Sequence, residues 1–231
     1  MCGIVGYIGE AEASPILIEG LKKLEYRGYD SAGIAVYNGS SIEVMKTKGR
    51  LKDLEEKLKG STIFGCVGIG HTRWATHGAP SDQNSHPHSN GNDSISIVHN
   101  GIIENYMEIK EELISRGYVF LSETDTEVAA HLIDFYHEGD PIDAVIKAME
   151  RLEGSYALGV LFKDAPNQLI AARKDSPLIV GVGNGENYIA SDVPAILPYT
   201  RDVYFMEDEE IAILTKKDVK IINKKKEEVN R

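Results

Sequence analysis

The sequence opens with MCGIVG (residues 1–6), and the rest of the chain is organised around this stretch. Once the initiator methionine is removed, Cys2 becomes the first residue and carries both a thiol and an α-amine. An α-amine titrates near ~7.7 to 8.0 and a thiol near ~8.5, so the amine is a suitable base for the thiol near neutral pH. The apolar residues that follow predict a buried strand, which would hold the nucleophile and its base rigidly. Position alone also allows Cys2 to be an ordinary small residue at a frayed end.

The composition limits the class of protein. A chain of 231 residues that is 42% hydrophobic fits one large domain. Its 25 Lys and Arg against 36 Asp and Glu give a net charge of −11, which has the wrong sign for a phosphate backbone, so we expect no nucleic-acid partner. No apolar run approaches the ~18 residues of a membrane span, and the start lacks a secretory signal. We therefore expect no membrane partner and a cytoplasmic location.

The sequence contains two cysteines, Cys2 and Cys66. This low number fits a reducing compartment, in which a disulfide between them would be unusual. Cys66 lies in the strand-like run at residues 63–69, so we interpret it as a residue of the core.

Patterns of strand and helix alternate along the chain and contain no internal repeat. Ser14-Pro15 has the form of a helix start, with a capping hydroxyl before a proline. Helices are predicted near residues 14–26, 51–58, 104–115, 126–136 and 142–152. From residue 156 onward the pattern changes to short strands that are separated by turn residues. Clustered helices and many strands predict an α+β layered fold with mainly antiparallel sheets.

The predicted domain covers residues 2–222. The last residues, 223–231, are rich in lysine and glutamate and have the composition of a linker or a solvated tail.

A polar stretch begins at residue 70, where GHTRWATHG (70–78) leads from a predicted strand into a long loop. Its first residues bring together a guanidinium, an indole, hydroxyls and imidazoles. A loop of this length in a compact domain is usually functional or disordered. We interpret the start of the loop as a polar pocket.

Three further stretches carry polar groups at the ends of predicted elements. Asn100 and Gly101 follow the predicted strand at 95–98 and offer two neutral hydrogen-bond donors, although an Asn-Gly pair is also typical of a turn. SETDTE (122–127) is an acidic helix start that contains Asp125, and such residues are commonly helix caps. The third stretch, YRGYDSAG (26–33), is a helix exit with one arginine and one aspartate.

The histidines do not predict a metal site. They occur at positions 71, 77, 86, 88 and 99, but no His-Glu-x-x-His helix or cysteine spacing accompanies them. The glycine cluster at residues 181–185 is followed by a strand pattern, whereas a phosphate-binding loop would lead into a helix. We expect no metal, no nucleotide and no other cofactor.

Read in order, CGIVG, RGYDSAG, HTRWATHG, HNGIIEN and SETDTE resemble the glutaminase domain of the glutamine:fructose-6-phosphate amidotransferases, and the resemblance covers the whole chain. The motifs CGI and RG are shared by all N-terminal-nucleophile amidotransferases. The motif SETDTE and the pair Arg73-Trp74 are similar to this family in particular. The resemblance implies a four-layer αββα sandwich of the N-terminal-nucleophile hydrolase type and hydrolysis of L-glutamine to L-glutamate and ammonia.

The resemblance also implies a larger enzyme. In the complete family members the ammonia passes to a C-terminal sugar-phosphate isomerase domain, which makes glucosamine 6-phosphate from fructose 6-phosphate. We expect that this chain contains the glutaminase part alone, and the resemblance allows a homodimer of the full-length enzyme.

The resemblance assigns four residues to the chemistry. Cys2 corresponds to the nucleophile, which attacks the γ-amide carbon while its own α-amine moves the proton. The side chain of Asn100 and the backbone N–H of Gly101 correspond to the oxyanion hole. Arg27 corresponds to a residue near the nucleophile.

Five other residues correspond to the substrate site. Arg73, helped by Thr76 and His77, would bind the α-carboxylate of glutamine, and Asp125 would pair with its ammonium group. Residues 73–81 resemble a lid over glutamine, with Trp74 at the exit toward the partner domain.

Two alternatives remain at this stage. The chain could be the glutaminase domain of an amidophosphoribosyltransferase, which shares the nucleophile and the fold. It could also be a catalytically silent regulatory module that keeps the fold. The second alternative is disfavoured because the residues of the chemistry are all present, namely Cys2, Arg73, Asn100, Gly101 and Asp125.

Overall fold

The computed structural model describes residues 2–61, 63–74 and 78–229. Within these ranges the helices are α1 (Ala13–Leu24), α2 (Leu51–Leu58), α3 (Tyr106–Ser115), α4 (Asp125–Tyr136) and α5 (Pro141–Arg151). All of the predicted helices are confirmed, and their ends agree within two residues. In this described part of the chain, no helix is both long enough and apolar enough to cross a membrane.

The strands of the described ranges are β1 (Gly3–Ile8), β2 (Ser31–Tyr37), β3 (Ile42–Lys48), β4 (Val67–Arg73), β5 (His88–Ser89), β6 (Ile95–Ile103), β7 (Gly154–Phe162), β8 (Leu169–Lys174), β9 (Ile179–Val182), β10 (Asn187–Ala190), β11 (Asp202–Phe205), β12 (Ile211–Leu214) and β13 (Val219–Ile222). The series of short strands predicted after residue 156 is confirmed. Short 3₁₀ turns follow α1 and β10.

The described strands form two antiparallel sheets. The first has the order β11-β9-β10-β1-β4-β2-β3, and the second has the order β13-β12-β8-β7-β6-β5. The first strand of the chain, β1, lies at the centre of the first sheet, between β10 and β4. Its register places Gly3 opposite Thr72 and Val5 opposite Ala190. The N-terminal end of β1 therefore lies beside the end of β4 and the end of β10.

Apolar side chains form three layers that join the sheets and the helices. In the middle layer, Ile4 and Ile69 of the first sheet lie in one cluster with Val98 and Leu161 of the second. A second cluster joins α1 and α2 to the outer face of the first sheet. A third cluster joins α3, α4 and α5 to the outer face of the second sheet. This arrangement confirms the predicted α+β fold with four layers in the order αββα.

Every residue of β1 is buried. A strand with a helix layer on one face and a second sheet on the other has no solvent-facing side, so its sequence does not alternate between apolar and polar residues. This explains why the first strand of the sequence reads as one continuous apolar run.

Three local predictions were wrong. Cys66 lies before β4 and is only partly buried, with its thiol 3.4 Å from the carbonyl oxygen of Glu10, so it is not a residue of the core. The first helix begins at Ala13 without a side-chain cap, and the hydroxyl of Ser14 donates instead to the carbonyl of Ile63, at 3.3 Å. The strand predicted to end before Asn100 continues to Ile103. Gly101 has a φ of +123°, and a Cβ at this position would collide with the carbonyl oxygen of Ser155. The Asn-Gly pair is therefore an irregular step within a paired strand.

The charged end of the chain folds back on β13 as far as it is described. The N–H of Val229 donates to the carbonyl of Ile221 at 2.9 Å, and the side chain of Asn223 accepts from the N–H groups of Lys225 and Glu227. The assignment of residues 223–231 as a linker or tail stays a prediction.

Replacement of Ile189 tests the packing between the two sheets. Ile189 is fully buried, and its side chain fills the space beside Gly6 and Gly159. Ile189→Ala is expected to lower the free energy of unfolding by about 2–5 kcal/mol, because the surrounding strands cannot collapse into the space. Ile114→Ala, at a half-exposed position on α3, should cost much less. Urea denaturation measures both variants, and equal losses would contradict the assigned core.

Candidate active site

The thiol of Cys2 lies at the N-terminal end of β1, next to the residue that follows β4. The backbone N–H of Trp74 donates to Sγ of Cys2 at 3.2 Å, and the thiol lies 3.5 Å from the carbonyl oxygen of the same residue. Because Gly3 pairs with Thr72, the chain beyond Thr72 must pass beside Cys2. The register of the two strands therefore determines the surroundings of the thiol.

The thiol is mostly shielded from solvent, and this burial raises the pKa of Cys2 above its ordinary value. The N–H of Trp74 and the positive charges of Arg73 and Arg27 act in the opposite direction, but they do not outweigh burial. The thiolate is the reactive form of cysteine. A thiol with a raised pKa is mostly protonated at neutral pH, so it needs a nearby base in order to react. This requirement agrees with the interpretation of the α-amine as that base.

The carbonyl oxygen of Cys2 accepts two hydrogen bonds. Nε of Arg27 donates to it at 3.0 Å, and Nδ2 of Asn100 donates to it at 3.1 Å. Arg27 is itself held by Asp192, at 3.6 Å, whose carboxylate also accepts a hydrogen bond from Tyr26. Arg27 and Asn100 reach Cys2 from opposite sheets of the sandwich or their connecting segments, so together they fix the backbone of Cys2.

The amide group of Asn100 makes further contacts with buried residues. Its Nδ2 donates to the hydroxyl of Ser191 at 2.9 Å, and its Oδ1 lies 3.0 Å from Nε2 of His71. The same hydroxyl accepts from the backbone N–H of Ile4 at 2.8 Å. Sequence reasoning missed Ser191, because only the pairing of β10 with β1 brings it near Cys2.

Charged residues of both signs lie close to the thiol. A cavity of about 10 Å³ is lined by Cys2, Arg73, Trp74, His86, His99, Gly101, Asp125 and Thr126. This space has room for about one water molecule. Arg73 is nearly buried and donates to the carbonyl of Gly78 at 3.2 Å. Asp125, in the first turn of α4, accepts from the N–H of Ile103 at 2.9 Å.

Three substrate-site residues were predicted in the loop after β4, namely Trp74, Thr76 and His77, and the structure describes only the first of them. Trp74 is 46% exposed, and its ring packs edge-on against Tyr29, with 5.6 Å between ring centroids. Thr76 and His77 lie outside the described residues. The described contact between Trp74 and Cys2 is made by the backbone of Trp74.

Two glycines of the RGYDSAG stretch allow this loop to approach. A Cβ at Gly28 would lie 2.7 Å from the carbonyl carbon of Arg73, and a Cβ at Gly33 would collide with the carbonyl oxygen of His86. Any larger residue at these positions would push the backbone of the loop away from the site.

A layer of buried histidines lies behind the cavity. The rings of His71 and His86 stack with centroids 4.0 Å apart, and His88 packs against His86 at 4.9 Å. Nε2 of His88 lies 3.1 Å from the hydroxyl of Thr124, the N-cap of α4. Burial lowers the pKa of His71 to about 3 and holds those of His86 and His88 well below their usual value. All three rings are neutral at physiological pH. Within residues 2–61, 63–74 and 78–229, no group of three or more His, Cys, Asp or Glu side chains is arranged to hold a metal ion.

Comparison with known proteins gives a consistent result. A family model described as a glutamine amidotransferase domain matches residues 71–198. The chain is 59% identical over its whole length to the glutamine–fructose-6-phosphate aminotransferase (isomerizing) of Clostridium tetani and 60% identical over 96% of its length to that of Caldanaerobacter subterraneus subsp. tengcongensis. It spans only 38% and 37% of these two relatives.

Among solved structures, the chain is similar to the glutamine phosphoribosylpyrophosphate amidotransferase from B. subtilis in complex with ADP and GMP. The TM-score is 0.85 at 28% sequence identity, and the match covers 96% of this chain and 49% of the other. The similarity in fold thus extends over nearly the whole chain.

The neutral histidines predict a loss of stability in mild acid. An unfolded histidine has a pKa near ~6.5. Below that pH the unfolded chain binds protons at His71, His86 and His88 that the folded chain does not bind, so stability falls as the pH falls. Lowering the pH from 7.5 to 5.5 is expected to reduce the free energy of unfolding by about 4 kcal/mol in total. Urea denaturation at both pH values measures this change.

A matched variant separates the histidines from other titrating groups. In His88→Gln the pH-dependent part of the loss should shrink by about one third, because one of three such groups is gone. A wild-type loss below about 1 kcal/mol would contradict the neutral state of these rings.

Proposed function

The chain belongs to the glutamine amidotransferase domain family, and on this basis we propose that it hydrolyses L-glutamine to L-glutamate and ammonia with Cys2 as the nucleophile. One observation carries the proposal: the thiol lines a single cavity together with one cation, Arg73, and one anion, Asp125. A free amino acid has one charge of each sign at its α-carbon. A site with both charges beside a nucleophile suits such a substrate.

The first step requires Cys2 to be the N-terminal residue. Its α-amine takes the proton of the thiol, and Sγ attacks the γ-amide carbon of glutamine. The amine then returns the proton to the leaving nitrogen, which departs as ammonia and leaves a glutamyl thioester. Water attacks the thioester with the amine again as base, and glutamate leaves as the thiol is restored. The raised pKa of the thiol supports a mechanism with an adjacent base.

Negative charge develops on the amide oxygen of glutamine in both steps. We assign its stabilisation to Nδ2 of Asn100 and to the backbone N–H of Gly101. The amide of Asn100 already lies at the nucleophile, 3.1 Å from the carbonyl oxygen of Cys2. Both N–H groups of this amide are engaged in the structure, with the carbonyl oxygen of Cys2 and with the hydroxyl of Ser191, so one of these bonds is exchanged for the oxyanion when charge appears.

The charges of the substrate have assigned partners. Arg73 binds the α-carboxylate through its planar guanidinium, with Thr76 and His77 as further partners. Asp125 binds the ammonium group. Arg27 keeps the nucleophile in position through its hydrogen bond to the Cys2 carbonyl.

The relatives suggest where the ammonia goes. We propose that this chain forms the glutaminase part of a longer protein that converts fructose 6-phosphate to glucosamine 6-phosphate, with a C-terminal sugar-phosphate isomerase domain as its partner and a homodimer as the assembly. The support is the high identity to two aminotransferases of that name. Trp74, at the half-exposed edge of the site, is assigned to the exit toward that domain. The alternative, a glutaminase domain for phosphoribosylpyrophosphate, has weaker support because the identity to that structure is 28%.

Blocking the N-terminus tests the proposed base. A chain with an uncleavable N-terminal extension keeps the thiol but converts the α-amine into a peptide nitrogen, so glutaminase activity should be lost. The measurement is glutamate formation from glutamine, with the N-terminus checked by mass spectrometry. As a control, the same extension ending in a protease site should regain activity on cleavage. If the extended chain worked at the rate of the mature protein, the α-amine would not be the base.

Asp125→Asn tests the ammonium partner. The substitution keeps the shape of the side chain but removes its charge, and loss of one member of a desolvated charge pair typically costs about 2–5 kcal/mol. A corresponding fall in kcat/KM for glutamine is expected. Asp143→Asn is the matched control, because Asp143 occupies the first turn of α5 and pairs with Lys147 at the surface. If the two variants had the same kcat/KM for glutamine, Asp125 would have a structural role and would not bind the ammonium group.

A further inference from the structure

The orientation of the Asn100 side chain decides whether it can act as a donor at the nucleophile. The oxygen and the nitrogen of a carboxamide have nearly the same shape, so packing alone does not distinguish the two orientations. The proposed reaction needs Nδ2 on the side of Cys2. Some neighbour of the amide group must therefore distinguish its donor from its acceptor.

Two neighbours make that distinction: the carbonyl oxygen of Cys2, which can only accept and lies 3.1 Å from Nδ2, and Nε2 of the His71 side chain. Nε2 lies 3.0 Å from Oδ1 of Asn100 and 3.0 Å from the backbone carbonyl oxygen of His99. A carbonyl oxygen can only accept, so Nε2 must carry the proton. A protonated Nε2 attracts Oδ1 and repels Nδ2. The flipped amide would bring two donors together at His71 and two acceptors together at the carbonyl of Cys2.

The state of the His71 ring is itself fixed. The residue is fully buried in β4, and burial lowers its pKa to about 3, so the ring holds a single proton. Nδ1 is buried without a hydrogen-bond partner among the described residues, which agrees with a proton on Nε2. The ring plane is held by stacking on His86, with centroids 4.0 Å apart. This donor is therefore constant in direction and in charge at neutral pH.

The hydroxyl of Ser191 cannot replace this function. It lies 2.9 Å from Nδ2 of Asn100, but a hydroxyl accepts from a nitrogen and donates to an oxygen equally well. It would satisfy the amide in either orientation. Within the described contacts of Asn100, His71 is the side chain that can only donate.

We propose that His71 is a positioning residue for glutamine hydrolysis, which holds the Asn100 amide with Nδ2 toward the nucleophile through its Nε2–H. This inference rests on the proposed function, because it gives Asn100 a role in the transition state. His71 acts through Asn100 and touches no reacting atom. Its loss should lower kcat and leave the binding of glutamine, through Arg73 and Asp125, nearly unchanged.

Two substitutions test the hydrogen bond. His71→Leu keeps an apolar side chain of similar size but removes the donor, and kcat should fall by about 10- to 100-fold, as a small misplacement of a catalytic group does. KM for glutamine should change by less than about 3-fold, since the contacts that bind the substrate before the reaction, through Arg73 and Asp125, are kept. His71→Gln carries an amide N–H that can reach the position of Nε2 and should recover a large part of kcat. Melting curves establish the folded fraction of each variant.

A double substitution tests whether His71 acts through Asn100. Asn100→Ala alone should lower kcat by about 10²- to 10³-fold. Adding His71→Leu to it should cause no further fall, because the group that His71 orients is absent. His131→Leu, another buried histidine, at a site away from Asn100, is the control and should lower the melting temperature with a normal kcat.

The outcomes are distinguishable. A normal kcat for the folded fraction of His71→Leu, or losses that multiply in the double variant, would overturn the positioning role and leave the proposed function intact. A normal kcat for Asn100→Ala would overturn the proposed oxyanion donor and the positioning role together.

Discussion

The structure depends on the pairing of β1 with a neighbour on each side. Because β1 is central in its sheet, its two registers determine what surrounds the residue that precedes it. The pairing with β4 brings the chain at Trp74 to the thiol, and the pairing with β10 brings Ser191 to the N–H of Ile4. A strand whose residues are all buried has a strongly specified register, since a slip of one residue would exchange its two faces.

The second sheet completes the site from the other side of the middle layer. Asn100 projects from β6 to the carbonyl of Cys2, and Asp125 begins the helix that packs on that sheet. The polar groups between the sheets are kept neutral by burial, as the lowered pKa of His71 shows. The described lining of the cavity contains one cation, Arg73, and one anion, Asp125.

Structural features that depend on residue type and local pattern were predicted well from the sequence. The helices, most of the strands and the layered fold were correct, and Cys2, Arg73, Trp74, Gly101 and Asp125 do line one cavity. The end of the strand at Asn100 was wrong, because an Asn-Gly pair has the same local pattern in a turn and in an irregular paired strand. Ser191 and the orientation of His71 were beyond prediction, since both follow from contacts between strands that are distant in sequence.

The close approach of the loop to Gly28 and Gly33 changes what a sequence motif means at this site. Neither residue has a functional group, yet the backbone at Arg73 and at His86 occupies the volume that a side chain would fill. The two glycines of this motif are thus required by the close packing of a neighbouring segment, which leaves no room for a side chain. A template built only from reactive side chains would accept sequences in which this loop cannot approach Cys2. The steric requirement belongs to the definition of the site as much as the thiol does.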